Sequence, residues 1–117
     1  LLVDSIGKKI KAVEFITEKL HLTNVNCQIA RAESLTEQFH FVVTRAVATL
    51  PKVHSFSRKL LLRKSINPIS NGIIALKGGD LEEELKSFGK NGMIFPISDY
   101  FVEPFFQSKV VVHLATS

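Results

Sequence analysis

The sequence predicts an α/β fold organised around a layered sheet, and three observations carry that expectation. Apolar, strand-like runs alternate with stretches of helical periodicity. Each such run is followed by polar or turn-forming residues, namely Asp4 and Ser5, Arg31 to Glu33, Thr44 and Arg45, and Lys77 to Gly79. The chain then closes on a pair of strand-like runs, around Gly92 to Ile97 and Lys109 to Ala115. In open α/β sheets ligands gather at the carboxyl ends of the strands, so the residues just after each run are the first candidates for a site.

The elements follow in order. Leu1 to Asp4 is an apolar run ending in an acid. From Ile6 onward, Ile10, Val13, Ile16 and Leu20 recur at helical spacing, with Lys8, Lys9, Lys11, Glu14 and Glu18 left for a wet face. Asp4 or Ser5 is placed to cap that helix. Turn residues then lead into a short strand around Val25 to Ala30. Phe39 to Val47 is dense in apolar and β-branched residues and is expected to be the most fully buried strand. Leu50, Val53, Phe56 and Leu60 predict a second helix to about Lys64, with Pro51 in its first turn and a basic C-terminal half. "NGIIALKGG" reads as turn, strand and turn. Asp80 is placed to cap a short helix, with Glu83 in capping-box position.

Composition narrows the function classes. The chain has 117 residues, 45% of them hydrophobic and 22% charged, a globular balance for one domain at most. No apolar run is long enough to span a bilayer, and the N-terminal residues lack a secretory-signal pattern. The single cysteine, Cys27, has no internal partner and suits a reducing cytoplasm; it reads as a small core residue. His21, His40, His54 and His113 are scattered without metal-ligand spacing, so no metal site is expected. A net charge of +4 favours polyanionic partners. "KGG" at 77–79 lacks the spacing of a phosphate-binding loop.

Four blocks, "LLVDSIGKKIKAVEF", "ARAESL", "FHFVVTRAVATLPK" and "GIIALKGGDLEEEL", resemble in order and spacing the bacterial small-subunit (16S) ribosomal RNA guanine-N7 methyltransferase family, also called glucose-inhibited division protein B. The resemblance implies a Rossmann-like class I S-adenosylmethionine-dependent methyltransferase fold, entered at its second strand, with the first strand and its glycine-rich loop missing. Residues 1–117 would then be part of a single methyltransferase domain. The missing strand is the central one of that fold. Leu1 to Asp4 and Phe39 to Arg45 are therefore expected either to leave backbone edges unpaired or to pair with each other.

The resemblance also assigns roles. Asp4 would accept hydrogen bonds from the ribose hydroxyls of S-adenosylmethionine, with Ser5 beside it. Ala32 and Glu33 would lie at the adenine end, offering a backbone N–H to a ring nitrogen and an acceptor to the exocyclic amine. Arg45, ending the strand expected to be most buried, would lie in the cofactor site, because a buried guanidinium needs a partner. Guanine N7 has a lone pair and no proton at neutral pH, so no catalytic acid or base is expected. The implied partner is 16S ribosomal RNA within the small subunit, met by a cytoplasmic, monomeric enzyme. The fragment alone is expected to be inactive and to bind cofactor weakly or not at all. Another Rossmann-like methyltransferase, a non-catalytic RNA-binding module and an NAD-binding half-domain are the rival readings.

Overall fold

In the computed structural model the first apolar run becomes β1 (Leu2–Asp4), followed by α1 (Gly7–Lys19) and β2 (Cys27–Ile29). β1 and β2 pair in parallel, with Leu2 opposite Cys27 and Asp4 opposite Ile29. Parallel neighbours need a crossover, and the helix predicted from Ile10, Val13, Ile16 and Leu20 supplies it. Its apolar seam is only partly covered. Ile10 is buried, whereas Ile16 is 55% and Leu20 63% exposed. The helix ends with His21 in left-handed backbone (φ 54°). There the His21 N–H donates to Glu18 O and the Leu22 N–H to Thr17 O, the paired closing bonds of a Schellman motif that usually employs glycine.

The structure describes residues 1–45 and 48–116. They fall into two compact units, Leu1–Thr36 and Glu37–Ser117. The second holds β3 (Phe41–Arg45), α2 (Leu50–Ser57), β4 (Gly72–Gly78), α3 (Glu82–Leu85), β5 (Gly92–Pro96) and β6 (Lys109–Ala115). Its sheet runs β3-β4-β6-β5. β3 and β4 are parallel, while β6 is antiparallel to both β4 and β5. The β3 expectation ran on to Val47, and its last two residues, Ala46 and Val47, lie outside the described residues.

The core of this second unit lies between one sheet face and the helices. Ile73 and Ala75 of β4 alternate inward with Val112 and Leu114 of β6, and pack with Leu50 and Val53 of α2, Leu61 and Leu81. Gly72 is required where β4 meets β6, because a Cβ there would fall on the Leu114 carbonyl. Asn71, fully buried, fixes the loop before β4. Its Nδ2 donates to Leu62 O (2.8 Å) and Lys64 O (3.0 Å).

Several expectations are corrected. β3 is not the most buried strand. It is an edge of its sheet, Val43 is 67% exposed, and β4 and β6 occupy the interior instead. One expectation needs no correction: among the described residues β1 pairs only with β2 and β3 only with β4, the first of the two expected arrangements. α2 stops at Ser57 and continues as a 3-10 turn over Arg58–Leu60, short of Lys64. A parallel bridge ends it there: the Phe39 N–H donates to Leu60 O, and the Leu62 N–H to Phe39 O. Neither α1 nor α3 has a side-chain N-cap. Asp4 and Asp80 instead each accept the N–H two residues on, from Ile6 (2.8 Å) and Glu82 (2.9 Å). Cys27 is half-buried rather than core.

Candidate cofactor site

In the first unit, parallel pairing brings the carboxyl ends of β1 and β2 side by side. The Ala30 N–H donates to Asp4 O at 3.0 Å, extending the pairing one residue beyond the strands. Asp4 and Ser5 therefore leave the sheet at the same end as Arg31, Ala32 and Glu33. Asp4 is half-buried, and Ser5 is exposed. Ala32–Ser34 forms a 3-10 turn immediately after β2, closed by Ser34 Oγ donating to Arg31 O at 2.7 Å and by the Leu35 N–H donating to Ala32 O. Within that turn Ala32 is half-buried and Glu33 is exposed.

A carboxylate and a turn at one strand end offer hydrogen-bond acceptors to a bound hydroxylated ligand. Asp4 Oδ1 already accepts the Ile6 N–H, but a carboxylate offers about four lone-pair sites, enough for a pair of vicinal hydroxyls as well. The turn that Asp4 closes with the Ile6 N–H thus leaves most of its carboxylate free to accept from a ligand. The backbone bond pins the carboxylate, and pinning is what a binding group requires.

In the second unit Arg45 ends β3 opposite Leu76. It is exposed, so its charge needs no buried partner. The reasoning that a buried guanidinium must answer to a ligand does not apply, because β3 is an edge strand with an open face. The placement at a strand's carboxyl end stands.

The neighbouring Lys77 has a different occupation. Its Nζ donates to Ala48 O at 3.0 Å and pairs with Glu84 Oε2 at 3.2 Å, and the same Glu84 oxygen accepts the Leu50 N–H at 2.9 Å. One carboxylate from α3 thus satisfies an orphan donor in the first turn of α2 and a lysine on β4. Lys77 is a structural tie rather than a phosphate ligand. Gly79 follows in left-handed backbone (φ 76°), with its N–H on Ser108 O at 3.2 Å. Spacing gave no sign of this linkage, since Leu50, Lys77 and Glu84 meet only once the sheet is assembled. Among the described residues no group of three His, Cys, Asp or Glu side chains is placed to hold a metal ion, and no helix is long and apolar enough to cross a membrane.

The model of the rRNA small subunit methyltransferase G family matches residues 1–111. The chain belongs to this family. Similarity to individual ribosomal RNA small subunit methyltransferase G proteins agrees. The chain is 46% identical over 113 residues to that of Christiangramia forsetii, covering 97% of this chain and 53% of the relative. It is 44% identical over 115 residues to that of Porphyromonas gingivalis, covering 97% and 52%, and 39% identical over 113 residues to that of Cytophaga hutchinsonii, covering 97% and 55%. The chain thus spans about half the length of the curated relatives it matches. The methyltransferase G family accounts for the sequence blocks around Asp4, Ala32, Arg45 and Lys77 together, since all four fall within the matched residues.

Proposed function

We propose that the full-length protein carrying this sequence methylates guanine N7 in 16S ribosomal RNA of the small subunit, using S-adenosylmethionine, as a cytoplasmic monomer. The observation that carries this reading is the family match across residues 1–111, which include a carboxylate fixed at the end of a parallel strand. Residues 1–117 are read as part of one methyltransferase domain.

In this reading the Asp4 carboxylate accepts from the ribose hydroxyls, and Ser5 lies beside it. The Ala32 backbone and Glu33 meet the adenine, and Arg45 contributes from the end of β3. When bound, S-adenosylmethionine supplies an electrophilic methyl on a sulfonium centre. Guanine N7 carries its own lone pair and no proton, so none of these residues is assigned to proton transfer. Their work is to bind, orient and exclude water.

The test is methyl transfer to small subunits by the full-length protein, with the product located by mass spectrometry of nuclease digests. A gain of one methyl on a guanine, lost at least tenfold in Asp4→Ala, is the expected result. Methylation of free nucleosides or metabolites but not of subunits would overturn the substrate assignment. The 117-residue chain alone is expected to show no calorimetric binding of S-adenosylmethionine in the micromolar range, and heat of binding there would refute that.

A further inference from the structure

The connection between β5 and β6 carries no functional expectation from its sequence, yet it exposes three aromatic rings within six residues. Tyr100 is 74% exposed, Phe105 69% and Phe101 52%. Tyr100 and Phe101 directly follow the 3-10 turn Ile97–Asp99, and Phe105 lies in the 3-10 turn Pro104–Ser108. Phe106 backs the group, with its ring centroid 5.2 Å from those of Phe101 and Phe105. Lys109 Nζ lies 5.1 Å from the Phe105 centroid.

Register fixes where this group sits. Lys109 pairs with Gly78 at the carboxyl end of β4, and the Gly79 N–H reaches Ser108 O. Arg45 ends β3, one residue in register before Lys77. The rings therefore emerge at the carboxyl end of the second unit's sheet, the end at which α/β folds hold their ligands.

We propose that Tyr100, Phe101 and Phe105 form a stacking platform for an unpaired nucleobase of the RNA substrate, with Lys109 beside it for an adjoining phosphate. The inference rests on the RNA-methylation reading and names the surface that holds the RNA. Sequence-directed proteins contact RNA chiefly at unstacked bases laid on aromatic rings, and ring faces accept any base. The +4 charge of the chain favours the same polyanion. Asp99 and Glu103 lie in the same segment, so the platform depends on its rings and on Lys109 rather than on a basic field.

Ring character separates this role from simple apolar packing. Leucine at position 105 keeps apolar bulk without a stacking face, and tyrosine keeps the face. In the full-length protein, Phe105→Leu and Tyr100→Leu are expected to raise KM for small subunits about tenfold, with kcat and S-adenosylmethionine affinity within twofold of the parent and Phe105→Tyr near the parent. Ultraviolet crosslinking to ribosomal RNA gives an independent readout. All the rings fall in one tryptic peptide, Asn91 to Lys109, which has no internal Lys or Arg. A nucleotide adduct on that peptide is expected. Leucine variants with parental KM and no adduct would overturn the platform and show that the rings serve packing against the protein's own remaining chain or a partner. If the parent protein transfers no methyl to subunits, the methylation reading fails, and the adduct alone decides the platform: present, it stands; absent, it falls.

Discussion

The two units solve the same problem with unequal means. Both contain a parallel strand pair, but only the second assembles a core, where Leu50, Val53, Ile73 and Val112 are all but inaccessible. In the first unit Ile10 and Leu35 are buried, while Phe15, Ile16, Leu20 and Ile29 stay open. A three-residue strand pair and one helix have too little apolar surface to enclose. The difference shows that an amphipathic pattern announces a helix without guaranteeing a partner for its apolar face.

The largest expected effect separates the units most sharply. Leu50→Ala opens a cavity in the second core and should cost about 3 kcal/mol, read from the denaturant midpoint. Ile16→Ser, in the open seam of α1, should change stability by less than about 0.5 kcal/mol. Equal costs would break the comparison, because they would mean that the α1 seam is packed in solution. A middle-sized effect is expected from Glu84→Gln, which removes the charge shared by Lys77 and the Leu50 N–H. Both side chains are largely covered, and a loss of about 1–2 kcal/mol is expected. Hydrogen exchange should place that loss in α2 and β4 and leave β1 and β2 unchanged. The smallest effect has the opposite sign. His21→Gly relieves left-handed backbone at the end of α1 and should stabilise the first unit by about 0.5–1 kcal/mol, seen as slower exchange of the last helical turn.

Much of this fold was legible because local patterns and tertiary structure agree. β4 and β6 follow their apolar runs, and β6 keeps the expected bounds, Lys109 to Ala115. Where the reading failed, the deciding information was non-local. β3 has the composition of a buried strand, but its place at the sheet's edge is a property of topology. The stop of α2 comes from Phe39, far away in sequence, taking up backbone groups of Leu60 and Leu62. At the candidate site, the ends of β1 and β2 were readable as strand ends because an acid and a turn follow apolar runs. The fixing of Asp4 by the Ile6 N–H and the tying of Lys77 by Glu84 were not, since each depends on side-chain direction. The rings of 100–106 were visible as letters, but their exposure was not.

The position of β6 carries a consequence for how the protein is made. It follows both β4 and β5 in the chain, yet it lies between them and bonds to both. While a nascent chain is still missing residues 109–115, β4 and β5 have no template between them, and Val112 and Leu114 are absent from the core. The sheet of the second unit can therefore close only after those residues leave the ribosome, and while β5 and β6 can pair as a local antiparallel hairpin, the joining of β6 to β4 is a long-range event. Until then Ile73 and Ala75 of β4 lack their partners Val112 and Leu114, which makes translation of β6 the step that commits this sheet to its structure.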